Sequence, residues 1–278
     1  MASITEILRT LNNHHIYVNG IGEIAIDTES ICVGNNAVIA RCHIVGAEDD
    51  GSKLLRCYTR WRNPLQSKYD PTFIPKAITI YTLMGQSQEI DISLSEWHDG
   101  TTLDKYLEHD AGNYDRLSRS MDALARIVIS LPYAHGDIQP ENILIREDGS
   151  MQLIDYDTIW EAKFIEDIHE GHFDIRPDSQ HIDRVNRQND YIAVGYLSVM
   201  LATMALIEKQ EHNGNRVVDH TLFAPYRDDE DIYADLQRAQ LVLGNGGDTI
   251  HYYIATALLN RGCNLRKLLT KYLSHTKP

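Results

Sequence analysis

The segment from residue 135 to residue 157, HGDIQPENILIREDGSMQLIDYD, constrains the fold more than any other stretch of this chain. It contains two short apolar runs, ILI at 143–145 and MQLI at 151–154, separated by a polar turn with the pair Asp148-Gly149. Apolar runs on either side of an Asp-Gly pair are typical of a β-hairpin. The sequence therefore predicts a hairpin here, and a hairpin brings its two outer ends together.

Polar side chains flank this predicted hairpin on both sides. Asn142 comes directly before the first strand and Asp155 directly after the second, so their oxygens should meet at the open end. Hard oxygen ligands of this kind suit Mg²⁺, which keeps water and substrate phosphates as its other ligands. Asp137 lies in the loop that enters the hairpin, where a carboxylate can accept the proton of an attacking hydroxyl. The pattern predicts a site for metal-assisted phosphoryl transfer.

The same segment resembles the catalytic and metal-binding loops of the protein-kinase superfamily. Three motifs carry the resemblance, in the family's order: His135-Gly136-Asp137 for His-Arg-Asp, Pro140-Glu141-Asn142 for Pro-Glu-Asn, and Asp155-Tyr156-Asp157 for Asp-Phe-Gly. The resemblance implies that Asp137 is the catalytic base and that Asn142 and Asp155 hold Mg²⁺ beside ATP. Gln139 stands where protein-serine/threonine kinases usually carry a Lys that steadies the transferred phosphoryl group.

The remainder of the chain predicts an α+β fold with a β-rich first lobe and a helical second lobe. Ser3-x-x-Glu6 is a capping box for a short N-terminal helix. Apolar runs separated by Gly, Asn and Asp clusters then predict strands at 16–18, 24–26, 37–45, 53–61, 78–84 and 89–97. The resemblance implies one bilobal kinase domain, with an N-lobe over residues 1–95 that carries the extra helix and a C-lobe over 96–278.

The second lobe has readable helix signals. Residues 117, 121, 124, 127 and 128 are apolar at the spacing of a core-facing helix, and Thr101 or Thr102 can cap a helix that begins at Leu103. Asp190 opens a long apolar helix and resembles the family's buried aspartate that braces the catalytic loop. A solvent-facing N-cap is the alternative for Asp190.

The resemblance also implies a nucleotide site in the first lobe. It assigns ten residues to this site: Gly34, Asn35, Asn36, Val38, Leu54, Arg56, Ser95, Glu96, Trp97 and His98. Ser95 would guard the back pocket, and the backbone from Glu96 to His98 would face the adenine edge. Arg56 takes the position of the phosphate-binding Lys, and Lys53, three residues earlier, falls on the opposite face of the strand. The turn that starts at Gly34 is a candidate phosphate lid. Two alternatives stay open: this turn is a plain hairpin turn, or the lid is formed by residues 20–22.

This first lobe departs from the family pattern. Arg offers a wider, planar fork where the family has a compact ammonium, and no Glu occurs from residue 50 to residue 88 to pair with it. Gly136 leaves no cation to pair with a phosphorylated segment. Residues 158–189 are expected to form the activation and substrate-binding segment.

Composition limits the partners and the setting of the protein. The formal net charge is −14 over 278 residues, which argues against binding to nucleic acid or an anionic membrane because both need a cationic face. The four cysteines form no CxxC pair, so a reducing cytoplasm is the expected setting. The longest apolar stretch, near 191–207, is interrupted by Gly195, Ser198 and Thr203, and we interpret it as a buried core helix.

Three hypotheses follow from the matches and the departures. The first is an active, atypical bacterial-type protein kinase that uses Mg-ATP to phosphorylate Ser or Thr hydroxyls of an unidentified protein. The second is a pseudokinase, in which the fold serves as a nucleotide-binding or scaffolding module. The third is a small-molecule kinase of the aminoglycoside or choline type.

Overall fold

The chain forms two compact units, Met1–His98 and Asp99–Pro278. The computed structural model describes residues 3–18, 20–34, 37–47, 51–58, 79–84, 89–109, 113–131, 135–155, 187–212, 229–260 and 265–273. The first unit is rich in strands and the second in helices. The predicted α+β class, with a β-rich first part and a helical second part, is confirmed.

The first unit is a six-stranded antiparallel sheet preceded by a helix. Helix α1, Ile4–Leu11, begins after Ser3, whose hydroxyl accepts a hydrogen bond from the Glu6 backbone N–H at 3.2 Å. The predicted N-cap is therefore confirmed. Strands β1 to β6 span His15–Val18, Gly22–Val33, Ala37–Ile44, Lys53–Tyr58, Thr79–Met84 and Glu89–Glu96. They lie in the order β1-β2-β3-β4-β6-β5.

The two faces of this sheet carry different side chains. The core face packs apolar side chains from α1 and the strands: Ile7, Leu11, Ile16, Val18, Ile24, Ile26, Val38, Ala40, Cys42, Leu55, Cys57, Ile90, Ile92 and Leu94. Successive side chains of a strand point to opposite faces. Leu54 and Arg56 therefore lie on the other face of β4, where both are half-buried.

The second unit combines six helices with a small sheet within the described residues. Strands β7 (Thr101–Thr102), β8 (Ile143–Ile145) and β9 (Met151–Leu153) form this sheet. Helices α2 to α7 span Leu103–His109, Tyr114–Ser130, Arg187–His212, Asp229–Gly246, Thr249–Leu259 and Leu265–Leu273. Ile143 lies opposite Leu153, so the predicted hairpin is confirmed. It consists of β8 and β9.

Strand β7 replaces a helix cap that the sequence suggested. Thr102 pairs with Leu144 of β8, and its hydroxyl has no hydrogen-bond partner among the described residues. The expectation that Thr102 caps α2 is therefore wrong. The preceding Gly100 has a φ of +157°, and a Cβ there would lie 2.5 Å from the Ile145 carbonyl oxygen. The chain before α2 thus packs directly on the hairpin.

Helix α4 is the central helix of the second unit. It packs against α3, α5, α6 and α7. Its segment Asn189–Gln210 is long and apolar enough, by length and composition alone, to cross a membrane, and 89% of that apolar stretch is buried within the protein. The interpretation as a buried core helix is confirmed.

Helix α3 is fixed to α4 at its N-terminus. Glu208 of α4 accepts hydrogen bonds from the backbone N–H groups of Asn113 at 2.9 Å and Tyr114 at 3.0 Å. This satisfies two of the donors that a helix start leaves free. The predicted core-facing residues of α3 are buried except Ile127, which is 41% exposed.

Candidate active site

The loop that enters the hairpin is held by a buried aspartate. Asp190, in the first turn of α4, accepts hydrogen bonds from the backbone N–H groups of His135 at 2.6 Å and Gly136 at 2.9 Å, one on each carboxylate oxygen. Asp190 is 3% exposed. The predicted brace is confirmed, and the solvent-facing N-cap is wrong. Gly136 has a φ of +84°, in the left-handed region that favours glycine.

His135 joins this loop to the end of the hairpin. Its imidazole is fully buried. Nε2 lies 3.2 Å from the Ile154 carbonyl oxygen, and Nδ1 accepts from the Asp137 N–H at 3.3 Å, so the proton sits on Nε2. Burial lowers the pKa of His135 to about 4, against an opposite effect of the Asp155 charge. A neutral histidine therefore connects the Asp137 loop to the residue before Asp155.

Asn142 fixes the Asp137 carboxylate. Its side-chain nitrogen donates to the Asp137 carbonyl oxygen at 2.9 Å and to the carboxylate Oδ2 at 2.8 Å. Both neighbours are acceptors, so the amide nitrogen must face them, and Oδ1 of Asn142 is the atom suited to a metal. Gln139 donates a second, longer hydrogen bond to Oδ2 of Asp137, at 3.3 Å. Oδ1 of Asp137 is the oxygen suited to accept a substrate proton.

Charge and burial act together on Asp137. Burial, followed by the nearby Asp155 charge, raises the pKa of Asp137 to about 6, while the hydrogen bond from Asn142 opposes the rise. A smaller negative influence comes from Glu141, a residue that the sequence pattern identified only as part of a motif. Two carboxylates in one partly buried site repel each other, and a bound cation would relieve that repulsion.

Asp155 stands at the open end of the hairpin beside Asn142. The Ile154 N–H donates to the Asn142 carbonyl oxygen at 2.9 Å, which closes this end. Asp155 has a φ of +62°, a conformation uncommon for non-glycine residues and concentrated at functional sites. The hairpin therefore brings Asp137, Asn142 and Asp155 together, as the spacing predicts.

The donors at this site fit Mg²⁺. The Asn142 amide oxygen and the Asp155 carboxylate are hard oxygen donors. No group of three or more His, Cys, Asp or Glu side chains within the described ranges is arranged to hold a metal. A cation bound here would take its other ligands from water and phosphate, which is the usual coordination of Mg²⁺ in phosphotransferases. Tyr156, Asp157 and nearly all of the expected activation segment lie outside the described residues.

The sheet unit divides the predicted nucleotide contacts between its two faces. Leu54 lies opposite Ser95 on the neighbouring strand, and Arg56 lies opposite Ser93, so Leu54, Arg56 and Ser95 share one face. Val38 lies opposite Cys57 and is fully buried in the core. Val38 and Arg56 therefore lie on opposite faces of the sheet and do not share a site. The predicted pairing of Val38 with Arg56 is wrong by one residue, and a shift of one residue moves a side chain to the other face.

The predicted hinge is tied to the sheet. The Trp97 N–H donates to the Ser52 carbonyl oxygen at 3.0 Å, so this N–H does not face an adenine edge. Arg41, which belongs to no sequence motif, lies with its guanidinium carbon 5.7 Å from the centroid of the Trp97 ring. Its Nε also donates to the Ser52 hydroxyl at 2.9 Å. Glu96 lies opposite Lys53 on β4, and His98 is half-buried.

The candidate phosphate lid is described only in part. The Gly34 N–H donates to the Ala37 carbonyl oxygen at 2.9 Å, which closes a turn between β2 and β3. Asn35 and Asn36 lie outside the described residues. The described residues on either side of them, Gly34 and Ala37, lie at the ends of the paired strands β2 and β3, and the lid stays a prediction.

Comparison with known proteins gives a partial similarity. No family model matches the chain. Among curated proteins, the chain is similar to protein kinase PVPK-1 of Phaseolus vulgaris, with 33% identity over 111 residues. The match covers 38% of this chain and 17% of the plant kinase, so the chain spans only a small part of that relative. Together with the antiparallel sheet unit and the helical unit, this similarity fits a kinase-like fold.

Proposed function

We propose that this chain is a kinase-like phosphotransferase that moves the γ-phosphoryl group of Mg-ATP to a Ser or Thr hydroxyl of a protein. The observation that carries the proposal is the Asp137 carboxylate, oriented by Asn142 and lying beside Asp155 in a site braced by Asp190. The partial similarity to a protein kinase supports the same class of reaction. The proposed setting is the cytoplasm, with a protein partner and no role for nucleic acid or membrane.

Each residue of the site has a distinct proposed role. Oδ1 of Asp137 accepts the proton of the attacking hydroxyl. The Asn142 amide oxygen and the Asp155 carboxylate hold Mg²⁺, which neutralises charge on the phosphates. Gln139 keeps the Asp137 carboxylate in place through its hydrogen bond to Oδ2.

A second candidate is a pseudokinase, and the sheet unit gives the specific reason. Core-face positions on β4 are occupied by the apolar Leu55 and the thiol of Cys57. Burial raises the pKa of Cys57 to about 12, so this position carries no charge at neutral pH. Arg56 lies on the opposite face. Leu55 and Cys57 therefore supply no cation for phosphate, and the pseudokinase candidate rests on Arg56 standing where the family has Lys, with no Glu from residue 50 to residue 88.

The test is phosphate transfer by the full chain. The chain is incubated with Mg-ATP and, in separate reactions, a generic protein substrate or small alcohols and aminoglycosides, and ADP and phosphorylated product are measured. Asp137→Asn is expected to lower transfer by about 100-fold or more, the size of a general-base contribution. Asp155→Asn should also raise the Mg²⁺ requirement. Asp148→Asn is the matched control, because Asp148 is an exposed turn residue and Asn keeps the acceptor used by the Ser150 N–H.

Each outcome distinguishes the candidates. Equal transfer by wild type and Asp137→Asn would refute the proposed role of Asp137. ATP binding without transfer would identify a pseudokinase, and phosphorylation of only the small acceptors would identify a small-molecule kinase. In the same binding assay, Arg56→Ala tests whether Arg56 contacts phosphate: retained affinity would point to Lys53 or another cation.

A further inference from the structure

The hairpin that carries the candidate metal ligands is small. Its strands have three residues each and pair only with each other and with the two-residue β7 among the described strands. Two-stranded hairpins of this size have little stability of their own. The apolar side chains of this hairpin's strands are buried, so packing along the strands and the anchoring of the turn at 146–150 together position Asn142 and Asp155 at the open end.

Two side chains of α3 contact this turn. The Ser120 hydroxyl donates to the Gly149 carbonyl oxygen at 2.6 Å, and an Nη of Arg116 donates to the Glu147 carbonyl oxygen at 3.4 Å. Gly149 has a φ of +74°, and a Cβ there would overlap the Arg116 guanidinium group. The turn thus meets α3 through its backbone, at a position whose left-handed φ favours glycine.

The turn also has internal hydrogen bonds that make it a rigid unit. Arg146 N–H donates to the Ser150 carbonyl at 3.0 Å, Gly149 N–H to the Arg146 carbonyl at 2.8 Å, and Ser150 N–H to the Asp148 carboxylate at 2.8 Å. A rigid turn transmits a change at its anchor along the strands. Three residues span about 10 Å, so a small tilt at the turn displaces the open end by about 1 Å.

One helix supports both ends of the site. α4 carries Asp190, which holds the catalytic loop, and Glu208, which caps α3. Since α3 carries Ser120, the turn of the hairpin is fixed to the same helix as the loop that contains Asp137. Displacements of about 1 Å at reacting groups can cost about 100-fold in rate.

We propose that Ser120 is a positioning residue for the metal-binding end of the hairpin and acts through its hydrogen bond to the Gly149 carbonyl. The inference rests on the proposed function for its catalytic consequence. Ser120 does not touch the metal ligands. It sets the angle at which the hairpin presents Asn142 and Asp155.

The test compares Ser120→Ala with Ser120→Thr and Ser130→Ala. Ser120→Ala should raise the Mg²⁺ concentration for half-maximal transfer by about tenfold, in the range of outer-shell effects on metal sites, with the KM for a protein acceptor unchanged. Ser120→Thr keeps a hydroxyl and should restore the wild-type value. Ser130→Ala is the matched control, because Ser130 is on the same helix and its hydroxyl donates within that helix, to the Ile127 carbonyl at 2.7 Å.

A second measurement keeps this inference separate from the proposed function. Hydrogen exchange of the Ile154 amide, which donates to Asn142 and closes the open end, should be about tenfold faster in Ser120→Ala than in Ser130→Ala, since the anchored hairpin opens less often. If wild type transfers no phosphate, the proposed function fails and this exchange rate alone decides the positioning role. Equal Ile154 exchange in the two variants, or an equal Mg²⁺ requirement in an active enzyme, would overturn the inference.

Discussion

The helical unit and the sheet unit bury polar side chains in different ways. In the helical unit, His135, Asn142 and Asp190 are buried and hydrogen-bonded. Asp190 accepts from the His135 backbone N–H, and Asn142 donates to Asp137 and orients its carboxylate. In the sheet unit, the core is apolar, and Arg56 and Ser95, two of the polar residues proposed for nucleotide binding, lie on the opposite face. The difference teaches that the two units depart from the kinase pattern to different degrees: the helical unit has a braced carboxylate beside Asp155, whereas the sheet unit has Arg56 where the family has Lys.

The most direct way to break this comparison is to remove the brace of the helical unit. Asp190→Ala leaves two buried N–H groups, of His135 and Gly136, without their charged acceptor. Hydrogen bonds to buried charged groups are the strong ones, so we expect a loss of about 4 kcal/mol in the free energy of unfolding. Urea denaturation followed by circular dichroism measures it.

The control for the brace is an exposed acid of the same unit. Asp115 pairs at the surface with Lys209 and Arg119, each at 2.8 Å, and Asp115→Ala should cost less than about 1 kcal/mol. If the two variants lose equal stability, the hydrogen bonds of Asp190 contribute no more to folding than an exposed ion pair does.

A second test concerns a buried histidine away from the site. His251 lies between Asp248, at 2.7 Å, and Asp122, at 3.2 Å. Burial opposes its charge, but the hydrogen bonds with both carboxylates raise the pKa of His251 to about 9. This folded-state pKa exceeds the ordinary value of 6.5. The stabilisation is therefore complete below pH 6.5 and is lost as the pH rises through about 9.

His251→Gln should cost about 3 kcal/mol at pH 6, the value of a shift of this size, and much less at pH 10. Denaturation of wild type and variant at pH 6, 8 and 10 checks it. A stability difference that does not change with pH would mean that His251 is neutral in the folded protein. His15→Gln, at an exposed pair with Glu23, serves as the control and should change little.

The third test sharpens the account of the sheet by comparing neighbouring residues. Val38 is fully buried on the core face, whereas Ile39 lies opposite Arg56 on the other face. Val38→Ala should cost about 2 kcal/mol because it leaves a cavity. Ile39→Ala should cost about 1 kcal/mol, since less of its side chain leaves water on folding. The reverse order, measured by thermal unfolding, would show that the assigned register is shifted by one residue.

The hairpin was predictable because its signals are local. The two apolar runs and the Asp148-Gly149 turn lie within a dozen residues, and the meeting of Asn142 with Asp155 follows from their position at its ends. Asp190 was predictable only through the resemblance, because 54 residues separate it from Gly136.

Strand register and long-range anchors were not predictable in the same way. The face that Val38 occupies depends on pairing across strands. In addition, β2 contains a register shift between Asp27 and Cys32, and no local sequence pattern predicts it. The hydrogen bond from Ser120 to Gly149 joins residues 29 positions apart. An ordinary serine on a helix gives no sign of such a partner.

The smallest expected effect tests whether the helical unit holds the Asp137 carboxylate at a cost in folding stability. Burial, then the charge of Asp155, raises the pKa of Asp137 from 3.8 to about 6. The stability linked to this group is therefore greatest below pH 3.8 and declines as the pH rises through about 6. Asp137→Asn removes the charge. It should stabilise the metal-free protein by about 1 to 2 kcal/mol at pH 8, after allowance for partial exposure.

Denaturation in EDTA at pH 4 and pH 8 measures this gain, which should be present only at the higher pH. Asp148→Asn is the comparison with a pKa shift of opposite sign. Hydrogen bonds from Ser150 lower the pKa of Asp148, so removal of the Asp148 charge should not stabilise the protein. A functional carboxylate kept charged in a partly buried site trades stability for activity. If Asp137→Asn is no more stable than wild type at pH 8, that trade is absent, and the polar interior of the helical unit carries no measurable cost at Asp137.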